Sequence, residues 1–201
     1  MRLMLSILCG LFILNAAFIE KKAQKVSMAR WVVEKNSSLN IQGETNINSF
    51  QCDVTEYLRT DTLVYATNDL TRKLSFTNSA LVVDVRRFDC HNRFITDDFR
   101  SSLKADENPT LKILFLTIDQ FNPSSSNQVV KGIVDVQLAH VVRRTEIDYT
   151  IRTLPGNRIQ MNGSHIFSFT DFNLKAPRKL AGLIRTKDAI KVNFQLFLKT
   201  I

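Results

Sequence analysis

The sequence predicts an all-β fold, an antiparallel sheet of about eight strands closed as a barrel and accompanied by one short helix. Three observations carry that expectation. In residues 189–199, Ile190, Val192, Phe194, Leu196 and Leu198 alternate with Lys191, Asn193, Gln195 and Lys199, and Phe197 alone breaks the pattern. A period of two gives an extended chain one dry and one wet face. At about 3.3 Å per residue the stretch spans roughly 30 Å, a length that suits a sheet that curls or closes. The same alternation recurs upstream, and no segment is sized for the helical crossover that parallel strands require.

With 201 residues, 44% hydrophobic and 23% charged, the chain suffices for one well-buried domain. Arg2 precedes an apolar run from Leu3 to Leu14, too short to span a bilayer, and the small residues Ala16 and Ala17 follow. Residues 1–17 therefore read as a secretory signal peptide, 18–29 as a flexible leader and 30–201 as the barrel domain. Cys9 leaves with the signal, and Leu8 before it is too bulky for a lipidation site. The exported chain keeps Cys52 and Cys90, placed where a disulfide persists, whether in a periplasm or fully secreted. One bridge between them is the simple solution; two reduced, buried thiols are the alternative. The net charge of +8 favours acidic surfaces such as anionic lipid headgroups, but it is spread along the chain. Nothing resembles the basic and aromatic motif of a nucleic-acid module.

Folding is expected to begin at Arg30, with Trp31 and Val33 in phase, a turn at Asn36-Ser37-Ser38, and Leu39 and Ile41 facing one way. Residues 45–54 read as the next strand, placing Phe50, Cys52 and Val54 together. Residues 62–66 and 73–76 are weakly patterned edge strands or loop, and 80–86 a firmer strand through Leu81, Val83 and Val85. Between His91 and Pro109 the period changes. Thr96, Asp97 and Asp98 make an acidic start, and Phe99 and Leu103 sit four apart, which predicts a short helix covering one end of the sheet. Residues 111–121 are apolar on both faces, as where both sides are covered. After a turn at Asn122-Pro123 come two long strands, 129–140 and 142–154. The turn Pro155-Gly156-Asn157 leads into 158–169, with Ile159, Met161, His165, Phe167 and Phe169 in phase. Residues 171–182 read as irregular.

Catalysis finds little support in the residues. His91, His140 and His165 lie far apart without metal-ligand spacing, and there is no G-x-S-x-G elbow, P-loop or Rossmann glycine run. The expectation is a protein that is not an enzyme, with no catalytic residue, no metal and no dedicated cofactor.

Taken in order, several pieces resemble the YceI-like family of exported, lipocalin-like, polyisoprenoid-associated proteins. They are Ser38-Leu39-Asn40-Ile41-Gln42-Gly43, Thr45-Asn46-Ile47-Asn48-Ser49-Phe50, Asp97-Asp98-Phe99-Arg100 leading through Asn108-Pro109 into Leu111 to Phe115, Lys131-Gly132-Ile133-Val134, Thr145 to Tyr149, and Phe169-Thr170-Asp171-Phe172 before the last strand. Where many members carry a histidine in the first strand, this chain has Asn40-Ile41-Gln42, and the cysteine pair fits one branch. The resemblance implies a barrel holding a long apolar ligand, a polyisoprenoid or isoprenoid quinone. Phe115, Tyr149, Phe167, Phe194 and Leu196, bulky and in phase, are the expected cavity wall; packing against one another as an ordinary core is the alternative, and the protein would then work through its surface. Lys175, Arg178 and Lys179 would meet an anionic headgroup at the mouth, or form a solvated loop.

Overall fold

Eight antiparallel strands close on themselves through backbone hydrogen bonds in the computed structural model, which describes residues 26–54, 57–179 and 183–201. The strands in chain order are β1 (Val26–Val33), β2 (Ser38–Thr45), β3 (Ser49–Val54), β4 (Thr62–Asn68), β5 (Lys73–Thr77), β6 (Ala80–Asp84), β7 (Thr110–Ile118), β8 (Asn127–Leu138), β9 (Val141–Leu154), β10 (Arg158–Ser168), β11 (Arg178–Lys179) and β12 (Ile184–Thr200). The ring runs β1-β4-β5-β7-β8-β9-β10-β12 and returns to β1. Helix α1 (Arg93–Ser102) follows β6 after a short 3-10 turn, and a second 3-10 turn (Phe169–Phe172) follows β10.

Two long strands share an edge between two partners. Along one side β12 pairs with β2 through residues 186–195 and with β1 through 198–200. Similarly, β7 pairs with β6 through 110–114 and with β5 through 117–118. The barrel thus has two halves along its axis. In one, β1, β4 and β5 complete the wall; in the other, β2-β3 and β6 approach each other and leave a seam.

That seam is held by a small set of contacts. Asp53 and Asp89 exchange both backbone hydrogen bonds, at 2.8 and 3.0 Å. Beside them, Cys52 and Cys90 form a disulfide with both residues nearly inaccessible. The Tyr57 hydroxyl donates to Asp61 and accepts from the Val82 N–H at 2.9 Å, tying the chain after β3 to β6.

The half closed by β4 and β5 is filled. Trp31 lies 4.5, 5.9 and 5.7 Å, centroid to centroid, from Tyr65, Phe76 and Phe121. Leu63, Leu74, Ile118, Ile151, Met161 and Leu198 complete a core of fully buried side chains. All of these but Phe121, which lies in the loop after β7, come from inward positions of alternating strands, the arrangement expected of one dry face.

The element boundaries depart from expectation at several points. Strand β1 begins at Val26, inside the expected leader, because residues 26–32 pair with β4; the expected signal peptide lies outside the described residues. Helix α1 starts at Arg93 rather than near Thr96, because the Asn92 side chain accepts from the Phe94 and Ile95 N–H groups and caps it first. The strand expected to reach His140 ends at Leu138. Ala139 and His140 form the two-residue turn with φ of 47° and 65°, the left-handed pair that a tight hairpin needs. The terminal strand begins at Ile184 rather than 189, and the expected irregular stretch before it contains a 3-10 turn and the two-residue β11.

Candidate ligand-binding cavity

The other half of the barrel is hollow. It holds a partly open cavity of about 90 Å3 with an almost wholly apolar lining drawn from β2, β3, β6, β7, β8, β9, β10, β12 and the turns between them. Two of the rings on this wall, Phe194 and Tyr149, lie over glycines of neighbouring strands. Gly43, Gly132 and Gly163 stand at inward positions of β2, β8 and β10, in phase with their apolar neighbours, and each carries an aromatic ring from the next strand laid over it. A Cβ at Gly163 would sit 2.2 Å from Phe194 Cζ, one at Gly43 2.3 Å from Phe50 Cζ, and one at Gly132 2.6 Å from Tyr149 Cε2. Rings that in a filled barrel would project toward the axis lie along the wall instead.

Phe115, Tyr149, Phe167, Phe194 and Leu196 all stand on this wall. Phe194 and Tyr149 meet across Gly163 with centroids 5.6 Å apart. The expected short helix covers the hollow end through Phe99 and Leu103; that Phe88 and Phe169, which come from turns, pack on Phe99 at 5.5 and 6.5 Å was not foreseen. Phe169 continued the period of the strand before it, whereas Phe88 lies in a turn, where no periodicity marks it. The in-phase glycines were a signal, although which ring covers each depends on strand register.

Among the polar side chains of the wall, two stand out, Tyr149 and His165. Tyr149, 1% exposed, has a hydroxyl with no hydrogen-bond partner among the described residues, and burial pushes its ionisation far above the usual phenol range. A buried hydroxyl left unpaired costs about 1–3 kcal/mol. His165 stacks on Phe167 at 4.6 Å; burial, partly offset by Asp171, lowers its pKa and favours the neutral ring. The other histidines stand elsewhere, His140 exposed in its turn and His91 paired with Asp53 at the seam. Among the described residues no group of three His, Cys, Asp or Glu side chains is placed to hold a metal.

The basic group divides. Lys179 pairs with Asp98 of α1 at 2.6 Å and lines a second, outer groove of about 340 Å3. Arg178 stands opposite Arg185 in the β11–β12 ladder, and both Arg178 and Lys175 are exposed. The groove is formed by the β2–β3 turn, the start of α1 and the start of β12, with Phe50 and Phe99 in its floor. These two rings are 6.3 Å apart, and Phe99 touches the Phe88 and Phe169 rings that line the chamber, so they separate groove from chamber.

No family model matches the chain, and no curated protein matches it in sequence. Solved structures do. A polyisoprenoid binding domain from Saccharophagus degradans implicated in plant cell wall breakdown superimposes with a TM-score of 0.62 at 15% identity, over 87% of this chain and 100% of that one. BcnA from Burkholderia cenocepacia superimposes with a TM-score of 0.54 at 11% identity, over 80% of this chain and 95% of that one. The likeness is one of fold: the chain has the lipocalin-like barrel that the YceI-like resemblance implies.

Proposed function

We propose that this protein is an exported, non-enzymatic YceI-like carrier whose hollow half-barrel receives the end of a long apolar ligand, a polyisoprenoid or isoprenoid quinone. The observation that carries the reading is an apolar cavity inside one half of the barrel, with Phe115, Tyr149, Phe167, Phe194 and Leu196 on its wall, beside a half occupied by the Trp31 cluster. Such a chamber binds through the hydrophobic effect, about 0.8 kcal/mol for each methylene-sized group before ordering costs. The architecture is shared with a domain described as polyisoprenoid binding. The Cys52–Cys90 disulfide suits an oxidising compartment, periplasmic or extracellular.

The cavity of about 90 Å3 is smaller than the ~150 Å3 apolar cavity that takes one benzene. A polyprenyl chain therefore enters only as Phe194 and the rings beneath α1 swing aside, and most of its length lies outside the chamber. The same small volume favours a second reading, a barrel that acts through its surface on an envelope component. Native mass spectrometry of the protein purified from its own envelope, followed by solvent extraction, separates the two. The carrier reading expects a discrete added mass that extracts as an isoprenoid or quinone. A bare polypeptide mass, unchanged after incubation with such lipids, leaves the surface reading.

A further inference from the structure

We infer that the end of the barrel around the outer groove docks on an anionic lipid bilayer, with Ile47, Phe94 and Leu183 entering the interface. Three separate elements bring these large apolar side chains to one rim. Ile47 is at the tip of the β2–β3 turn, Phe94 is in the first turn of α1, and Leu183 immediately precedes β12. They are 65%, 76% and 74% exposed. Ile47 and Phe94 line the same groove, and the Asn46 side-chain amide donates to the Leu183 carbonyl at 2.9 Å, which fixes Leu183 beside the hairpin tip.

The rim is preorganised. The Thr45 hydroxyl accepts from the Ile47 and Asn48 N–H groups at 3.2 and 2.9 Å, and Asn46 Oδ1 accepts from the Arg185 N–H at 2.8 Å. Little ordering cost is then left for the docking step. Helix α1 buries Phe99 at 1% exposure, so the outward turn of Phe94 is specific to that residue and is not a failure of the helix to find the core.

Charge selects the partner. Exposed cations stand on the same side as the apolar tips: the Arg93 side chain, 3.8 Å from Asp97, is 90% exposed, Lys175 lies before β11 and Arg178 opens it. The chain as a whole carries +8. Isolated apolar tips set among cations match the interface of an anionic bilayer, where basic side chains meet headgroups and apolar ones pass below them. Docking also rests on the carrier reading in one respect, since only the Phe50–Phe99 ring pair stands between the groove beside the rim and the chamber, so an apolar chain arriving from the bilayer would have to part those rings to enter.

Sedimentation with vesicles tests this. The wild-type protein should bind vesicles containing phosphatidylglycerol far better than vesicles of phosphatidylcholine alone, and about 0.5 M salt should weaken the binding. Ile47→Ser and Phe94→Ser should each lower the affinity about tenfold, and Lys175→Gln with Arg178→Gln should abolish the preference for anionic lipid while leaving thermal unfolding unchanged. Equal binding by wild type and the Ile47→Ser/Phe94→Ser variant would overturn the inference, as would no binding to either vesicle. A concentration-dependent dimer that Phe94→Ser dissolves, without vesicle binding, would overturn it in favour of a second copy as the occupant. Bound mass measured on the same preparations keeps the readings apart: ligand carried without vesicle binding sinks docking alone, and vesicle binding by a bare chain sinks the carrier alone.

Discussion

His91 stands beside the disulfide with Nε2 2.7 Å from Asp53 Oδ2, on a backbone of φ 57°. The hydrogen bond that the His91 ring donates to the Asp53 carboxylate raises the pKa of His91, against the opposing effect of desolvation. At Asp53, burial opposes ionisation, but hydrogen bonds from Asn40, His91 and Gln51 outweigh it and hold the carboxyl below its ordinary range. The histidine's contribution is fully present below its unfolded value of 6.5 and is lost as pH rises through the raised folded value. The aspartate's contribution is present above 3.8 and is lost as pH falls through the lowered one. The clamp is therefore fully engaged from about pH 4 to about pH 6.5 and weakens on the alkaline side. Because the lowered pKa of His165 works the other way, adding stability as pH rises, the difference carries the test: the gap in urea midpoint between wild type and His91→Asn, a residue that tolerates the same left-handed backbone, should shrink from pH 5.5 to pH 8. An identical slope in the variant would show that the pair does not couple to the seam.

At the scale of paired strands, the three glycine–aromatic contacts are not equivalent. A methyl at Gly163 meets the far end of Phe194, and that ring has the chamber to swing into; one at Gly132 meets Tyr149 and also the Thr117 carbonyl oxygen at 2.7 Å, a backbone atom that cannot turn away. Gly132→Ala should therefore cost about 1–3 kcal/mol, as overpacking does, and Gly163→Ala clearly less. Gly163→Ala should instead lose bound apolar mass, because Phe194 then occupies the chamber. Equal costs in urea unfolding would mean that the chamber does not give Phe194 room. Much at this scale was legible from residues alone: β8, β9, β10 and β12 each bury one face, so period two placed them and put Tyr149, Phe167, Phe194 and Leu196 on the inside, whereas Phe115 stands on β7, apolar on both faces, where alternation did not choose its side. The start of α1 was not, because Asn92 and Thr96 are both residues that cap helices and only the surrounding fold chooses between them. Neither was the sharing of one edge of β7 and β12 between two partners, since that depends on register between segments far apart in the chain.

For the molecule as a whole, the division into a filled and a hollow half means that stability is unevenly distributed. The Trp31 cluster sits where the ring β1-β4-β5 closes by continuous pairing, whereas the hollow end depends on a seam of two backbone hydrogen bonds, the Tyr57 and Asp61 contacts to Val82, and one disulfide. Closing a loop between residues 38 apart is worth about 4 kcal/mol in the chain-entropy model. In Cys52→Ser/Cys90→Ser that constraint is gone, but none of the contacts around Trp31 changes. Opening should then begin at the seam: amide exchange should quicken in β3, β6 and α1, while β4, β5 and the Trp31 side of β1 keep their protection. Such a hollow end, loosened while the filled half holds, should also admit apolar guests faster than the oxidised protein does. If exchange instead rises uniformly across all strands, the barrel unfolds as one unit and the filled half gives the hollow half no independent support.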